Sequence, residues 1–376
     1  MSELLDWLDE QTLYPKFYWR SEKEEIAAAG ALRTFDHLPP LDTETPSMRL
    51  FGGRAFSLEE KEDGTWKGFP RQLFFEPKLL LIKKREDADP YTHAQATPLT
   101  RSDTPPFACW EKGIEKCLDR IKSKELSKLV TARRSTFTFE KPLSALDLLK
   151  ALQNSPSTTL FAFQPDSSSA FIGSSPEKLY RREGRNIFTH ALAGTRRRGK
   201  SEEEETELER ELLASEKETR EFMLVKESIL SALGPLCSNF EFEKGNSVHK
   251  SLTVQHLVSL FSGTLLNQVG DSEIIRLLHP TAAVGGTPRD EALKLLPYHE
   301  DFDRGWYAGP IGWASTNSAE FAVGIRSALV KQNQLHLFAG TGIVDGSCPH
   351  HEWQELEQKI APFTRLWSST DDGYTK

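Results

Sequence analysis

The chain has 376 residues, 38% apolar, 27% charged and 10% aromatic, an ordinary globular composition with ample material for a buried core. Its formal net charge of -8 speaks against a general nucleic-acid binder, while leaving room for a local basic pocket that takes a small anion. No run of eighteen apolar residues exists, the opening MSELLDWLDEQTLY lacks the regions of a secretory signal, and Cys109, Cys117, Cys237 and Cys348 form no CxxC pair, so a cytoplasmic protein without a membrane partner is expected.

The first third reads as β-rich. PKFYWRS, EEIAAAGALRTF, MRLFGGRAF, RQLFFEP and KLLLIKKRE are short apolar runs separated by Gly, Pro and charge. A stretch rich in Pro, Thr and Asp near residues 86 to 106 reads as a loop. The segment CWEKGIEKCLDRIKSKEL then has helical spacing, with Trp110, Ile114, Cys117 and Ile121 on one face. KLVTARRSTFTF, TTLFAFQP, SSAFIGSSPEKLYRREG and NIFTHALAG are predicted strands.

A long helix is predicted from Ser201 to about Leu233. VQHLVSLFSGTL reads as a strand, EIIRLLHP as a short helix stopped by proline, and PRDEALKLL as a helix with proline near its first turn. GWYAGPIGWAS, AEFAVGIRSALVK and QLHLFAGTGIV read as adjacent antiparallel strands. HHEWQELEQKIAPFTRLW is the last helix, and residues 368–376 are a frayed tail. Strands in consecutive runs with helices interspersed predict an antiparallel α+β fold.

Three clusters carry charge or glycine. Gly194–Ser201 fits the phosphate-loop pattern GxxxxGK[ST] and lies between a strand and a helix, as that motif requires. The helix after it opens with Glu202, Glu203, Glu204 and Glu205, which suit the helix dipole but repel a triphosphate, so a solvated basic turn is the better reading. Glu218 and Glu221 share a helix face, as do Glu352 and Glu355, with Lys359 one turn on. Two such pairs can hold a hard cation through oxygen ligands and water, although the spacing also suits solvated faces. The adjacent His350 and His351 lack metal-ligand spacing and read as solvent-facing. In AGTGIVDGS, Gly340 and Gly342 bracket Thr341 at a strand end; glycines there admit an anion to the backbone, or simply make a turn.

Together KLVTAR, FIGSSPEKLY, HALAGTRRRG, SEKETREFMLV, VQHLVS, HPTAAVGGTPRDEAL, WYAGPIGW, FAVGIRSA, LFAGTGIVDGS and EWQELEQK resemble the chorismate-utilising enzymes. These include isochorismate, salicylate, anthranilate and aminodeoxychorismate synthases. The segments run in the family's order from about Glu111 to Phe363, and FYWRS…AAAG resembles the family's start. The resemblance implies one large domain of two face-packed antiparallel β-sheets with helices outside. Within it, residues 1–110 form an N-terminal β-rich part and residues 111–367 the chorismate-binding catalytic region.

The resemblance also implies roles. Glu221 and Glu355 match direct magnesium ligands, and Glu218 and Glu352 a pair acting partly through water. Arg326, Tyr307, Lys359 and the backbone at Gly340 and Gly342 match groups that hold the substrate's carboxylates. Thr195 and His256 line the same pocket. Lys128 matches the lysine of the water-adding members, where ammonia-adding members carry glutamine, and Glu177 matches the general acid. Ala193 stands where aminodeoxychorismate synthases carry a nucleophilic lysine. The expected activity is therefore magnesium-dependent conversion of chorismate to isochorismate, closest to the menaquinone-type branch. Salicylate synthase, which adds pyruvate elimination, is the alternative. No glutaminase subunit is expected, and the chain is expected to be a monomer or homodimer. Thr341 departs from a common alanine and adds a hydroxyl expected beside the substrate. Phe222 replaces a common His or Asn and is expected to affect packing only.

Overall fold

Pairing in this molecule is antiparallel throughout, and it follows one unbroken path. The computed structural model describes residues 3–41, 48–59, 61, 63–84, 97–152, 158–243, 247–250 and 254–367. The expected tail 368–376 and most of the expected loop, 85–96, lie outside the described residues.

The path starts at Lys128–Thr138 and runs through Gln334–Ile343, Ser327–Lys331, Ser169–Ser175 and Thr159–Asp166 to Lys16–Arg20. Strand Glu24–Phe35 then carries the bonding over to Gln72–Lys84. From there it runs through Arg49–Arg54, Pro310–Ser315, Ser318–Val323, Lys178–Glu183 and Asn186–Arg197 to Val254–Leu265. The two halves pack face to face. Phe17 meets Phe51 with ring centroids 5.2 Å apart, Phe75 meets Phe163 at 6.4 Å, and Trp19 Nε1 donates to Glu320 Oε2 at 3.4 Å. This is the expected α+β architecture of two face-packed layers, joined by hydrogen bonds at one strand.

Helix Phe107–Lys122 buries the expected stripe of Trp110, Ile114, Cys117 and Ile121, and Trp110 packs on Trp353 of helix Pro349–Thr364 at 5.4 Å. Among the described residues no helix is long and apolar enough to cross a membrane.

Several elements differ from expectation. RQLFFEP and KLLLIKKRE form the single strand Gln72–Lys84, because Pro77 falls at a register slip where its missing N–H breaks no ladder. Thr100–Thr104, expected in a loop, is a strand on Lys128–Thr138. The long helix is two, Glu202–Ala214 and Glu216–Leu233. Ser215 separates them with extended backbone, and its hydroxyl accepts from Glu218 N as an N-cap. The segments SSAFIGSSPEKLYRREG and AEFAVGIRSALVK each split into two strands, one in each layer.

The seam between layers is aromatic. Phe163 is fully buried and stacks on Trp306 at 4.6 Å. Truncating Phe163 to alanine is expected to cost about 3–5 kcal/mol. A lower urea midpoint at unchanged slope is the expected reading; a midpoint within error of the parent contradicts this account of the seam.

Candidate active site

Both split strands break where the chain passes between layers, and the breaks lie together. Pro176–Glu177 joins Ser169–Ser175 to Lys178–Glu183, and Gly324–Arg326 joins Ser318–Val323 to Ser327–Lys331. Val323 N donates to Glu177 O at 3.0 Å, Ser174 N to Arg326 O at 3.1 Å, and Ser175 Oγ to Val323 O at 2.7 Å. Arg326 has a left-handed backbone, φ 50°, uncommon for a residue with a side chain. Its guanidinium lines a cavity and has no ion pair among the described residues. Burial lowers its pKa to about 10, so it stays charged near neutrality. Glu177 lines the same cavity, and among the described residues its carboxyl accepts only from Thr281 Oγ1, at 3.3 Å. Burial drives its carboxyl up to about 7, against smaller opposing effects of Thr281, Lys128 and Lys359.

The cavity floor is strand Gln334–Ile343. Gly340 and Gly342 face it; a Cβ on Gly340 would lie 2.7 Å from the Tyr307 hydroxyl, and one on Gly342 2.5 Å from Glu221 Oε1 and 2.7 Å from Lys128 Cε. Strand alternation turns Thr341 to the opposite side, against helix Pro349–Thr364. The hydroxyl expected beside the substrate therefore lies beneath the helix. Tyr307 is buried and stacks on Phe338 at 5.3 Å. Burial raises its phenol, which stays protonated.

A β-bulge shapes the opposite wall. Gly194, φ 72°, is the extra residue between Ala193 and Thr195, and it turns Thr195 N toward Glu218 Oε2 at 3.1 Å. His256 Nδ1 lies 3.0 Å from Gly194 O and 3.2 Å from Thr195 Oγ1. Burial lowers its pKa to about 3, so the imidazole is neutral. With Nδ1–H assigned to Gly194 O, Nε2 is an acceptor, and it has no protein partner.

The acidic pairs come from helices Glu216–Leu233 and Pro349–Thr364, and each carboxylate meets a base. Glu221 pairs with Lys128 at 2.8 Å, Glu218 with Arg196 at 3.0 Å, Glu352 with Lys217 at 2.7 Å and Glu355 with Lys359 at 2.5 Å. Lys359 also donates to Gly340 O at 2.8 Å. Glu218 is raised above the ordinary carboxylate range, first by burial and then by repulsion from Glu221. Burial pulls Glu355 upward too, but Lys359 outweighs it and leaves that carboxyl lowered. Glu177, Thr195, Glu221, His256, Tyr307, Arg326, Gly340, Gly342, Glu355 and Lys359 line the cavity, whereas Lys128, Glu218 and Glu352 stand behind it.

The set fits a hard divalent cation in kind: four oxygen-donor carboxylates on two helices, with Glu218 raised first by burial and then by repulsion from Glu221, against the opposing pull of Lys217 and Arg196. Among the described residues no three potential ligands already converge on one point, because each carboxylate is turned to its basic partner.

The phosphate-loop pattern is used internally. Gly199 N donates to Glu205 Oε2 at 2.5 Å, Lys200 N to Glu204 Oε2 at 2.6 Å, and Arg198 pairs with Glu205. The glutamates bind the loop's own amides and Arg198, in keeping with the basic turn before an acidic helix that the sequence favours over a phosphate loop. His350 and His351 are exposed, and Phe222 is fully buried in the core. Lys217, Arg196 and Thr281 were not expected at the site. Lys217 adjoins Glu218 and Arg196 adjoins Thr195 in sequence, which was a usable signal; no expected site residue adjoins Thr281.

Comparison with known proteins agrees in extent. The model of the family described as "Chorismate binding enzyme" matches residues 83–367. Isochorismate synthase MenF of Haemophilus influenzae is 34% identical over 97% of this chain and 89% of its own length. The solved structure of the menaquinone-specific isochorismate synthase MenF of Escherichia coli is similar with a TM-score of 0.84 and 30% identity, over 98% of this chain and 92% of that one. Anthranilate synthase component I of Streptococcus pneumoniae shares the fold, with a TM-score of 0.77 at 22% identity over 91% of this chain and 92% of that one.

The raised Glu177 carboxyl makes stability pH-dependent. Its folded pKa of about 7 lies above the ordinary value of 4.5, so the folded state holds the proton longer. This contribution is complete below about pH 4.5 and is lost as pH rises through about 7. Relative to Glu177→Gln, the parent is expected to lose about 3 kcal/mol over that range. Urea unfolding of both proteins at pH 5 and pH 8 measures it; parallel behaviour would mean Glu177 is not raised.

Proposed function

We infer the reaction from a fixed premise: this chain belongs to the chorismate binding enzyme family. Within it the protein is an isochorismate synthase, an isomerase that adds water at C2 of chorismate and expels the C4 hydroxyl, of the menaquinone type. The observation that supports the site assignment is one cavity holding an unpaired guanidinium, Arg326, and a carboxyl raised to about 7, Glu177.

Residues 111–367 carry the chemistry, on our reading, with residues 1–110 completing the same fold. Arg326, the Tyr307 hydroxyl, Lys359 and the amides at Gly340 and Gly342 bind the substrate's two carboxylates. Thr195 and the free Nε2 of His256 face its hydroxyl groups. Glu221 and Glu355, with Glu218 and Glu352 partly through water, would hold Mg2+, which when bound anchors a substrate carboxylate and offsets the clustered negative charge.

Lys128 is the base. It takes the proton of the attacking water as oxygen bonds to C2, which it can do only as a neutral amine turned from Glu221 toward that water. Glu177 is the acid. Hydroxide is a poor leaving group, so its carboxyl proton passes to the C4 oxygen as that bond breaks and the ring double bonds shift. One water enters and one leaves; a proton must return from Lys128 to Glu177 through solvent. A carboxyl near 7 is matched to this task, because a large fraction stays protonated at neutral pH.

Three outcomes follow. Purified protein with chorismate and magnesium is expected to yield isochorismate alone on chromatography, with loss of product on adding EDTA. Salicylate with pyruvate would transfer the protein to the eliminating branch, and anthranilate formed with ammonium would overturn the reading of Lys128. Lys128→Gln and Glu177→Gln are each expected to bind chorismate while kcat falls about 10²–10⁴-fold. The parental kcat is expected to decline above about pH 7 as Glu177 ionises. A near-normal rate in either variant removes that residue from its role.

A further inference from the structure

Glu352 is 2% exposed, and both of its oxygens are held by the protein. Oε1 accepts from Lys217 Nζ at 2.7 Å, and Oε2 accepts from Thr341 Oγ1 at 2.5 Å. These donors come from different elements: Lys217 from the helix of Glu218 and Glu221, Thr341 from the strand whose Gly340 and Gly342 floor the cavity. Glu352 itself sits one turn before Glu355. The contact thus ties together the two carboxylate-bearing helices and the substrate floor. A methyl side chain at position 341 cannot make it.

We propose that Thr341 is a positioning residue for the divalent cation: its hydroxyl fixes the Glu352 carboxylate and, through the helix turn, the reach of Glu355. The proposal rests on the reading of the four glutamates as the metal-holding set. A neutral hydroxyl donating to a carboxylate makes a short, charge-assisted bond. Partners that orient a ligand in this way contribute about 10–100-fold to metal affinity. Thr341→Val keeps the shape and removes the hydroxyl; Thr341→Ser keeps the hydroxyl and removes the methyl.

The test is Mn2+ binding without turnover, by the free-ion paramagnetic resonance signal and by calorimetry, on the parent and both variants. Thr341→Val is expected to weaken Mn2+ binding about tenfold or more, with Thr341→Ser restored to within about threefold of the parent. In steady state the Val variant's half-saturating Mg2+ is expected to rise while its kcat at saturating Mg2+ stays near parental. Equal Mn2+ affinity in parent and Val variant, or a Ser variant as weak as Val, overturns the proposal, as does a parent that binds no Mn2+. A parent that binds Mn2+ with the expected variant pattern but leaves chorismate unchanged would instead sink the isochorismate reading and leave the role of Thr341 standing.

Discussion

Val323 N–H donates to Glu177 O, and Ser174 N–H donates to Arg326 O; with these two bonds the places where the chain changes layers are held against each other. A residue at such a crossing is released from the alternation of a strand, so its side chain can enter the space between sheets. Glu177 and Arg326 occupy two such positions. The cavity exists because two ladders stop at the same level, and its raised carboxyl, Glu177, and its guanidinium, Arg326, come from the residues at the breaks. The left-handed backbone of Arg326 is a local cost, borne because the flanking strands leave no other path.

Five carboxyls stand at this site with two electrostatic outcomes. Glu218, Glu221, Glu352 and Glu355 each face a lysine or arginine within 3.0 Å. Among the described residues the Glu177 carboxyl has only the Thr281 hydroxyl, at 3.3 Å, and burial dominates. The same side chain is therefore ion-paired on the helices and a raised, unpaired carboxyl among the described residues at the crossing, by environment alone. Each paired carboxylate costs desolvation, which its basic partner offsets only while the geometry holds. That makes the arrangement of the two helices, rather than any single glutamate, the quantity the fold must preserve.

Much of this was legible along the chain. The stripe Trp110, Ile114, Cys117 and Ile121 marked its helix, and the pairs Glu218/Glu221 and Glu352/Glu355 marked theirs, because a helical period is local information. Family resemblance assigned roles to residues that spacing left ambiguous, and the cavity gathers ten of them. The breaks were harder. Ser215 reads as one more polar residue in an acidic helix until its cap to Glu218 is seen. AEFAVGIRSALVK reads as one strand because apolar residues run on both sides of Gly324, and that glycine, the one local signal, falls where the tertiary crossing breaks the strand. Thr341 was misplaced although alternation alone assigns it: if Gly340 and Gly342 face the substrate, the residue between them cannot. Lys217 on Glu352 spans 135 residues, and no local pattern reports such a pairing.

The order of strands also constrains when a site can exist as the chain is synthesised. Lys16–Arg20 waits for Thr159–Asp166, Arg49–Arg54 waits for Pro310–Ser315, and Lys128–Thr138 waits for Gln334–Ile343. Each of these strands has a local antiparallel neighbour, Glu24–Phe35, Gln72–Lys84 and Thr100–Thr104 respectively, but its second neighbour closes a loop of well over a hundred residues, which is slow and entropically costly. A nascent chain that has emerged as far as Glu177 still lacks the floor, the Arg326 guanidinium and both carboxylate helices. The enzyme thus has no partial form: its N-terminal strands stay paired on one side only, with an open edge in need of protection from aggregation, until their distant partners leave the ribosome.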